Sequence, residues 1–274
     1  IAPEGRYFIT ADAEQIEYRT FAHFANTPAV IEAYRQNPKT HFHKLIWSMI
    51  GHLVPGLTYK ALKNLNFAKI YGAGLIKLAF MCGFITEQQM IELQKRGLTR
   101  REQRELEELA LMVTVDRIYN EQLPEVEPLM RLASHLAMDE CTSFCRPDDL
   151  LHTKFAHLEK YNHRGYVTTI LGRRARFRHG ERAHKAFNNA NQGTAADILK
   201  LKQLEIYRER KKLDFTMRAT VHDELVGDTR DKEHAHLLQI ALNRQAIPLR
   251  VPILWAVKMG ANWAHAVPYM EFVA

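Results

Sequence analysis

The sequence predicts an α+β fold, a sheet domain with a helical insertion, because strand patterns lie toward its two ends and helical patterns fill its middle. The segment 6–13, RYFITADA, is β-rich and alternates apolar with polar residues, as a half-buried strand does. From Thr86 to about Tyr161 apolar residues recur at helical spacing in segment after segment. Beyond Arg164 the period returns to two: GYVTTILG and RARFRH flank Gly172, and FTMRATVHDELVGD reads as two strands around a tight turn at HDE.

The remaining elements follow in order. QIEYRTFAHFA has helical spacing, and Pro28 and Pro38 bracket another short helix. Residues 40–51 and 58–71 are helical by period, and Gly72 and Gly74 stop the second. Thr99 and Glu102 stand at capping-box spacing and open a helix through RGLTRREQRELEELALMVTVDRIY. Its charge run, 95–108, reads as a solvated face, with nucleic-acid contact as the alternative. Pro124, Pro128 and Pro147 punctuate the rest of the helical stretch. A long helix is expected from about His184 to Arg210, another over 231–246, and a last strand in VPILWAVKMG.

The 274 residues suit one large domain or two intergrown ones, and 46% apolar with 25% charged residues excludes a disordered or collagenous chain. No apolar run approaches the ~20 residues of a spanning helix. The opening IAPEGRYFITADAEQ has no basic start and no apolar signal core, and the missing initiator Met predicts a processed chain or a piece of a longer one. A net charge of +7 favours a polyanionic partner without specifying it. Three cysteines, Cys82, Cys141 and Cys145, predict reduced thiols and a cytoplasmic setting; the last two lack a second pair at zinc-ribbon spacing.

Three groups of residues carry candidate chemistry. Asp12 ends the first strand, and Asp223 with Glu224 lies in the later hairpin turn. Each alone is an ordinary turn acid. Side by side on one sheet, such carboxylates repel unless a cation lies between them. Mg²⁺ is typically held by one or two carboxylates plus substrate phosphates, and two such ions can clamp an in-line displacement. Tyr59, Lys63, Phe67 and Tyr71 recur every four residues on one helical face. An aromatic stripe is usually core, but a lysine in its middle suits a nucleotide: phosphate on the cation, base or sugar on the rings. Finally, Arg164, Arg173, Arg174, Arg176 and Arg178 cluster on a hairpin beside the amides Asn188 and Gln192. That is either a solvated basic hairpin or a surface for phosphates and groove acceptors.

These residues resemble the polymerase core of family A DNA polymerases, the bacterial DNA polymerase I type with its phage relatives. DAEQIEYR (12–19) resembles the family's DYSQIELR; Lys63 with NFAKIYG (66–72) resembles its K-x-x-N-F-G-x-x-Y-G. GRR (172–174) with the N-x-x-x-Q-G-T-A-A-D run (188–197) resembles the next block, and VHDE (221–224) the final acidic motif. The ending VPILWAVKMGANWAHA is also similar. The resemblance implies a right-hand polymerase palm, an antiparallel sheet with helices, with helical fingers inserted. Residues 1–38 and 164–274 would be palm and 39–163 fingers, with an insertion at about 85–150. Thumb and exonuclease domains would lie outside this chain.

The resemblance also implies roles. Asp12 and Asp223 would hold two Mg²⁺ ions, with Mn²⁺ as a substitute, the Ala13 carbonyl a further ligand and Glu224 in support. Glu17 would crowd a 2′-OH and favour deoxynucleotides, with Gln15 beside it at the nucleotide site. Lys63 would bind the triphosphate and protonate the leaving pyrophosphate, and His43 would contact the same phosphates. Phe67 would pack on the sugar and base, and Tyr71 would lie at the templating position. Arg173, Arg174, Asn188 and Gln192 would track primer and template, and His222 the primer end.

Three positions depart from the family pattern. Tyr59, followed by Lys60, replaces the arginine that grips the outer phosphates; losing one such bond costs about 1.5–3 kcal/mol. His41 replaces the acid of the family's D-x-H element, and Ala68 replaces the glycine after Phe67. The partners implied are primer–template DNA, deoxynucleoside triphosphates and further N-terminal polymerase segments, with no membrane. The alternatives are a single-subunit RNA polymerase, which Glu17 and the QGTAAD run oppose, and a non-catalytic DNA-binding fragment.

Overall fold

The computed structural model describes residues 2–138 and 164–272. Cys141, Cys145, Pro147 and the end of the expected insertion lie outside them. The described residues divide into two compact units. One comprises 1–23, 34–39 and 192–274, the other 24–33 and 40–191.

The first unit is built on a sheet of order β4-β5-β1-β6-β7. Its strands are β1 (Tyr7–Ala13), β4 (Phe215–Val221), β5 (Glu224–Thr229), β6 (Trp255–Gly260) and β7 (Val267–Pro268). β1 lies between β5 and β6, antiparallel to both, with Ile9 opposite Gly227 and Met259. The alternation of YFITADA sends Ile9, Ala11 and Ala13 to one face. There they join Ile198, Leu199 and Ile206 of the long helix α10 (Ala186–Leu213), and Leu238 and Leu242 of α11 (Lys232–Asn243). Asp231 caps α11 by accepting from the His234 amide at 3.0 Å. The opposite face of β1 carries Phe8, Thr10 and Asp12. The β4–β5 hairpin turns through His222, whose φ of 55° is left-handed.

Buried Arg19 closes this unit from the side. It comes from α1 (Ile16–Ala25) and donates to the carbonyls of Glu14, Pro252 and Pro38 at 2.8, 2.7 and 2.9 Å. No solvent competes for these charge-assisted bonds, so the three segments are fixed together.

The second unit is largely helical. It holds α3 (Phe42–Ile50), α4 (Tyr59–Ile70), α5 (Leu75–Met81), α6 (Glu87–Lys95), α7 (Arg100–Glu105), α8 (Ala110–Gln122) and α9 (Val126–Ala137). Between α1 and α3 runs α2 (Pro28–Gln36), bracketed by its two prolines as expected. Capping boxes open α6 at Thr86–Gln89 and α7 at Thr99–Glu102. The expected single helix through 99–119 is broken. Leu106 is extended, and the turn it makes carries Leu109 and Met112 into the core.

The ribbon of β2 (Tyr166–Thr168) and β3 (Arg174–Arg176) is not part of the sheet. Residues 164–191 were expected with the sheet and group instead with the helices. The reason is local: the Arg164 and Gly165 amides donate to Leu136 and Met138 carbonyls at 3.1 and 2.9 Å, and Phe187 packs edge-on against Phe24 at 5.9 Å. α5 and β7 were not anticipated. No helix among the described residues is long and apolar enough to cross a membrane.

Two positions carry stability predictions. Gly72, just past α4, has φ of 70°, and a Cβ there would lie 2.1 Å from the His184 carbonyl oxygen. Gly72→Ala therefore combines backbone strain with a clash and is expected to cost at least about 2 kcal/mol, read from the urea midpoint. The Lys69 ammonium is largely buried. It pairs with Asp116, donates to Asn120 Oδ1 at 3.2 Å and lies 5.3 Å from the centre of the Tyr119 ring. Lys69→Met would leave Asp116, among the described residues, with only the half-exposed Arg104 at 3.4 Å. The expected loss is about 3 kcal/mol, and adding Asp116→Leu should restore much of it, because the unpaired charge is then gone.

Candidate functional site

The acidic candidates come together in the sheet unit. Asp12 is directly opposite Glu224 in the β1–β5 ladder, so the two side chains share a face. That face is the one turned away from α10 and α11. Asp223 precedes Glu224 in the turn, and its carbonyl accepts the Ala13 amide at 3.1 Å, locking the hairpin tip to the end of β1. Electrostatics register the crowding. Burial, then Asp223 and Glu224, raise the Asp12 carboxyl to about 6, with a smaller push from Glu14. Lys258 of β6 is the one group opposing them.

Glu17, in the first turn of α1, belongs to the same field. Burial raises its pKa foremost and Asp223 adds to this, while Gln192 Nε2 opposes by donating to Glu17 Oε1 at 3.2 Å. The spacing of DAEQIE with QGTAAD therefore brings a motif glutamate and a motif amide into contact. Gln15 has φ of 53°, and its carbonyl accepts the Tyr18 and Arg19 amides, so it turns the chain from β1 into α1. His222 stands exposed at the hairpin tip.

A cation fits this cluster. Three acids, Asp223, Glu224 and Glu14, act on the Asp12 carboxyl against a single lysine, which is the imbalance a divalent ion relieves. Among the described residues no group of three or more His, Cys, Asp or Glu forms a protein-only metal cage. An ion held here would complete its shell from substrate and water, as Mg²⁺ commonly does.

The other candidates stand in the helical unit. Thr58 caps α4 by accepting from the Ala61 amide at 3.1 Å, fixing where the helix starts. Along its stripe Tyr59, Lys63 and Tyr71 are exposed and Phe67 is half-buried. Lys63 has no ion pair and no hydrogen bond among the described residues, so its charge is uncompensated there. Tyr59 packs edge-on against Trp47 at 5.9 Å; the residue in the arginine's place is thus an aromatic support, and neighbouring Lys60 is exposed.

His43 on α3 is 3% exposed, its ring 5.3 Å from Phe67. Burial, then His41 and Lys63, hold it down to about 4, so it is neutral at physiological pH. Asn66 Nδ2 meets His43 Nδ1 at 3.0 Å. On the ribbon, Arg173 and Arg174 are exposed, and Arg174 and Arg176 lie 4.7 and 5.7 Å from the Tyr166 ring centre. Asn188, expected to face DNA, is buried on α10 instead.

Sequence reasoning missed Lys258 and the contact that Asn66 makes. Lys258 had no local signal, since only the β1–β6 register brings it near Asp12. Asn66 stood in the NFAKIYG block and His43 was itself a candidate, but nothing local signalled that the two would meet.

The chain is similar in sequence and in fold to DNA polymerases. The family model described as DNA polymerase family A matches residues 151–265. A DNA polymerase DpoZ of Salmonella phage PMBT28 is 30% identical over 96% of this chain and 39% of its own length. The thermostable DNA polymerase I of Thermus aquaticus is 26% identical over 97% of this chain and 28% of its own. The chain thus spans well under half the length of these relatives. Among solved structures, the POL domain of Pol1 from M. smegmatis, in complex with DNA primer-template and dNTP, superposes with a TM-score of 0.65. It shares 23% identity and is matched over 96% of this chain and 41% of its own, a likeness of fold.

Proposed function

We propose that the chain is part of a family A DNA polymerase and that it holds the nucleotidyl-transfer centre, which adds deoxynucleotides to a primer 3′ end on a DNA template. The observation that carries this reading is the Asp12–Asp223–Glu224 cluster at adjoining strand ends, with Asp12 raised to about 6.

Asp12 and Asp223 would hold two Mg²⁺ ions, or Mn²⁺, with the Ala13 carbonyl as a further ligand. Such ions stabilise charge on the attacking and leaving oxygens of a phosphoryl transfer. The chain's own residues do the rest. The primer 3′-oxygen bonds to the α-phosphorus, losing its proton, as the bond to the β-phosphate oxygen breaks and pyrophosphate leaves. Lys63 neutralises the triphosphate and can give pyrophosphate a proton, with Lys60 nearby in place of the missing arginine. Phe67 packs on the sugar and base, and Tyr71 marks the templating position. Glu17, steadied by Gln192, narrows the room for a 2′-OH, with Gln15 shaping the turn before it. Arg173, Arg174, Gln192 and His222 follow primer and template.

The test is primer extension on a DNA template with Mg²⁺, giving deoxy- and ribonucleotides separately. Templated extension with deoxynucleotides is expected. Preference for ribonucleotides would assign an RNA polymerase. DNA binding without extension would assign a binding piece that needs the remaining segments of its relatives. Binding itself should weaken steeply with salt.

A further inference from the structure

We propose that Lys258 is a built-in counter-charge of the acid cluster, and that it weakens the hold of Asp12 and its neighbours on a divalent ion. The inference rests on the cation-site reading above and adds the residue that sets how tightly that site binds.

Strand register places Lys258. In the β1–β6 ladder Asp12 is opposite Ala256, and Thr10 is opposite Lys258. Side chains two apart on a strand share a face, so Lys258 stands on the face of Asp12, one row along. Diagonal neighbours in such a ladder lie about 7–8 Å apart, within reach of a lysine's long stem. The two flanks of Asp12 differ. On the β5 side Glu224 is directly opposite, with Asp223 before it in the turn. On the β6 side there is only the methyl of Ala256, which leaves room for a long neighbour to lean across. Burial foremost, then Asp223 and Glu224, push the Asp12 carboxyl up, and Lys258 is the one group that pulls it down.

Lys258 serves no contact of the fold. It is exposed, and among the described residues its ammonium has no ion pair and no hydrogen bond. Its charge is free to act on the cluster, where it and an ion from solution answer the same negative field. Coulomb energy scales with the product of the charges, so the lysine repels a divalent ion twice as strongly as a monovalent one. The bare cluster is thereby kept a weak site. An ion is held firmly once substrate phosphates complete its shell. Lys258 is a positioning residue in this sense: it acts through Asp12 and touches no reacting atom.

The experiment is Mn²⁺ binding to the complete chain without nucleotide or DNA, read from the free-ion signal by electron paramagnetic resonance. Asp12→Asn reports binding elsewhere on the surface, and subtracting it leaves the cluster. Lys258→Met should bind Mn²⁺ there about 3–10-fold more tightly than the wild type. Lys258→Arg, which keeps the charge, should match the wild type. The gain should shrink in about 1 M KCl, where charges are screened beyond about 3 Å. Unchanged or weaker binding by Lys258→Met overturns the proposal. So does a Lys258→Arg that behaves like Lys258→Met, or a gain that salt leaves untouched, since side-chain shape would then be the cause. Wild-type binding that Asp12→Asn removes and Lys258→Met leaves alone sinks this inference and spares the cation site. Wild-type binding that Asp12→Asn does not reduce sinks both. None of these readouts needs turnover.

Discussion

Asp12→Asn is expected to lower primer extension at least about 10³-fold while making the metal-free protein more stable at neutral pH. The first effect follows because a neutral amide holds a divalent ion far less well, and 10³-fold corresponds to about 4 kcal/mol of lost transition-state stabilisation. The second follows from linkage. The folded protein holds a proton on Asp12 up to about 6, against an ordinary 3.8. Ionising the carboxyl is therefore harder in the folded state than in the unfolded one. The folded state carries no penalty below about pH 4, loses stability as pH rises through 4–6, and bears the full cost above that. At 1.36 kcal/mol per unit, less solvent screening, the cost is about 1–3 kcal/mol. Urea midpoints at pH 5 and 7.5, with and without Mg²⁺, check it. The variant should gain most at pH 7.5, and Mg²⁺ should stabilise only the wild type. A variant less stable at pH 7.5 would show that the cluster is balanced by other contacts and would sink the cation-site reading.

Lys63→Ala is expected to reduce extension roughly 10–100-fold, mainly through a higher KM for the nucleotide, with no change in thermal midpoint. The lost charge-assisted bonds to phosphate set the size, about 1.5–3 kcal/mol. The unchanged stability follows from the exposure of Lys63 and its lack of an ion pair among the described residues. Lys63→Arg should recover part of the activity. The contrast with Lys69, six residues along the same helix, is the control. Lys69→Met should unfold the protein more easily, because that ammonium is consumed by Asp116 and Asn120. A loss of stability at Lys63 would show that its charge serves the fold instead of the nucleotide.

Local pattern made much of this legible. RYFITADA, the Thr99 capping box, the Gly172 and HDE turns and the stripe on α4 each carry their signal within a few residues, and the structure has them where expected. What escaped depends on partners distant in sequence. Asp12 faces Glu224 only through a strand register spanning more than 200 residues. His43 is held down to about 4 by burial first and then by His41 and Lys63, the last brought to it by α4. The break at Leu106 escaped for a different reason: flanking residues all have good helix propensity, and it is the burial of Leu109 and Met112 that turns the chain. The ribbon at 166–176 looked like more sheet because two-residue periodicity marks a strand without saying which sheet it joins.

The placement of β1 has a consequence for how the protein is made. Within this sequence β1 is the middle strand of its sheet, yet both its neighbours come from residues 224–260, more than 200 positions later. Arg19 likewise waits for the carbonyl of Pro252. During synthesis Phe8, Ile9 and Ala11 have no partner in this sheet until residues 224–260 have emerged, whereas the helices of 42–137 can assemble from near neighbours. The nascent chain therefore builds its insert before its foundation, and the stretch 7–13 is the one a chaperone would need to shield.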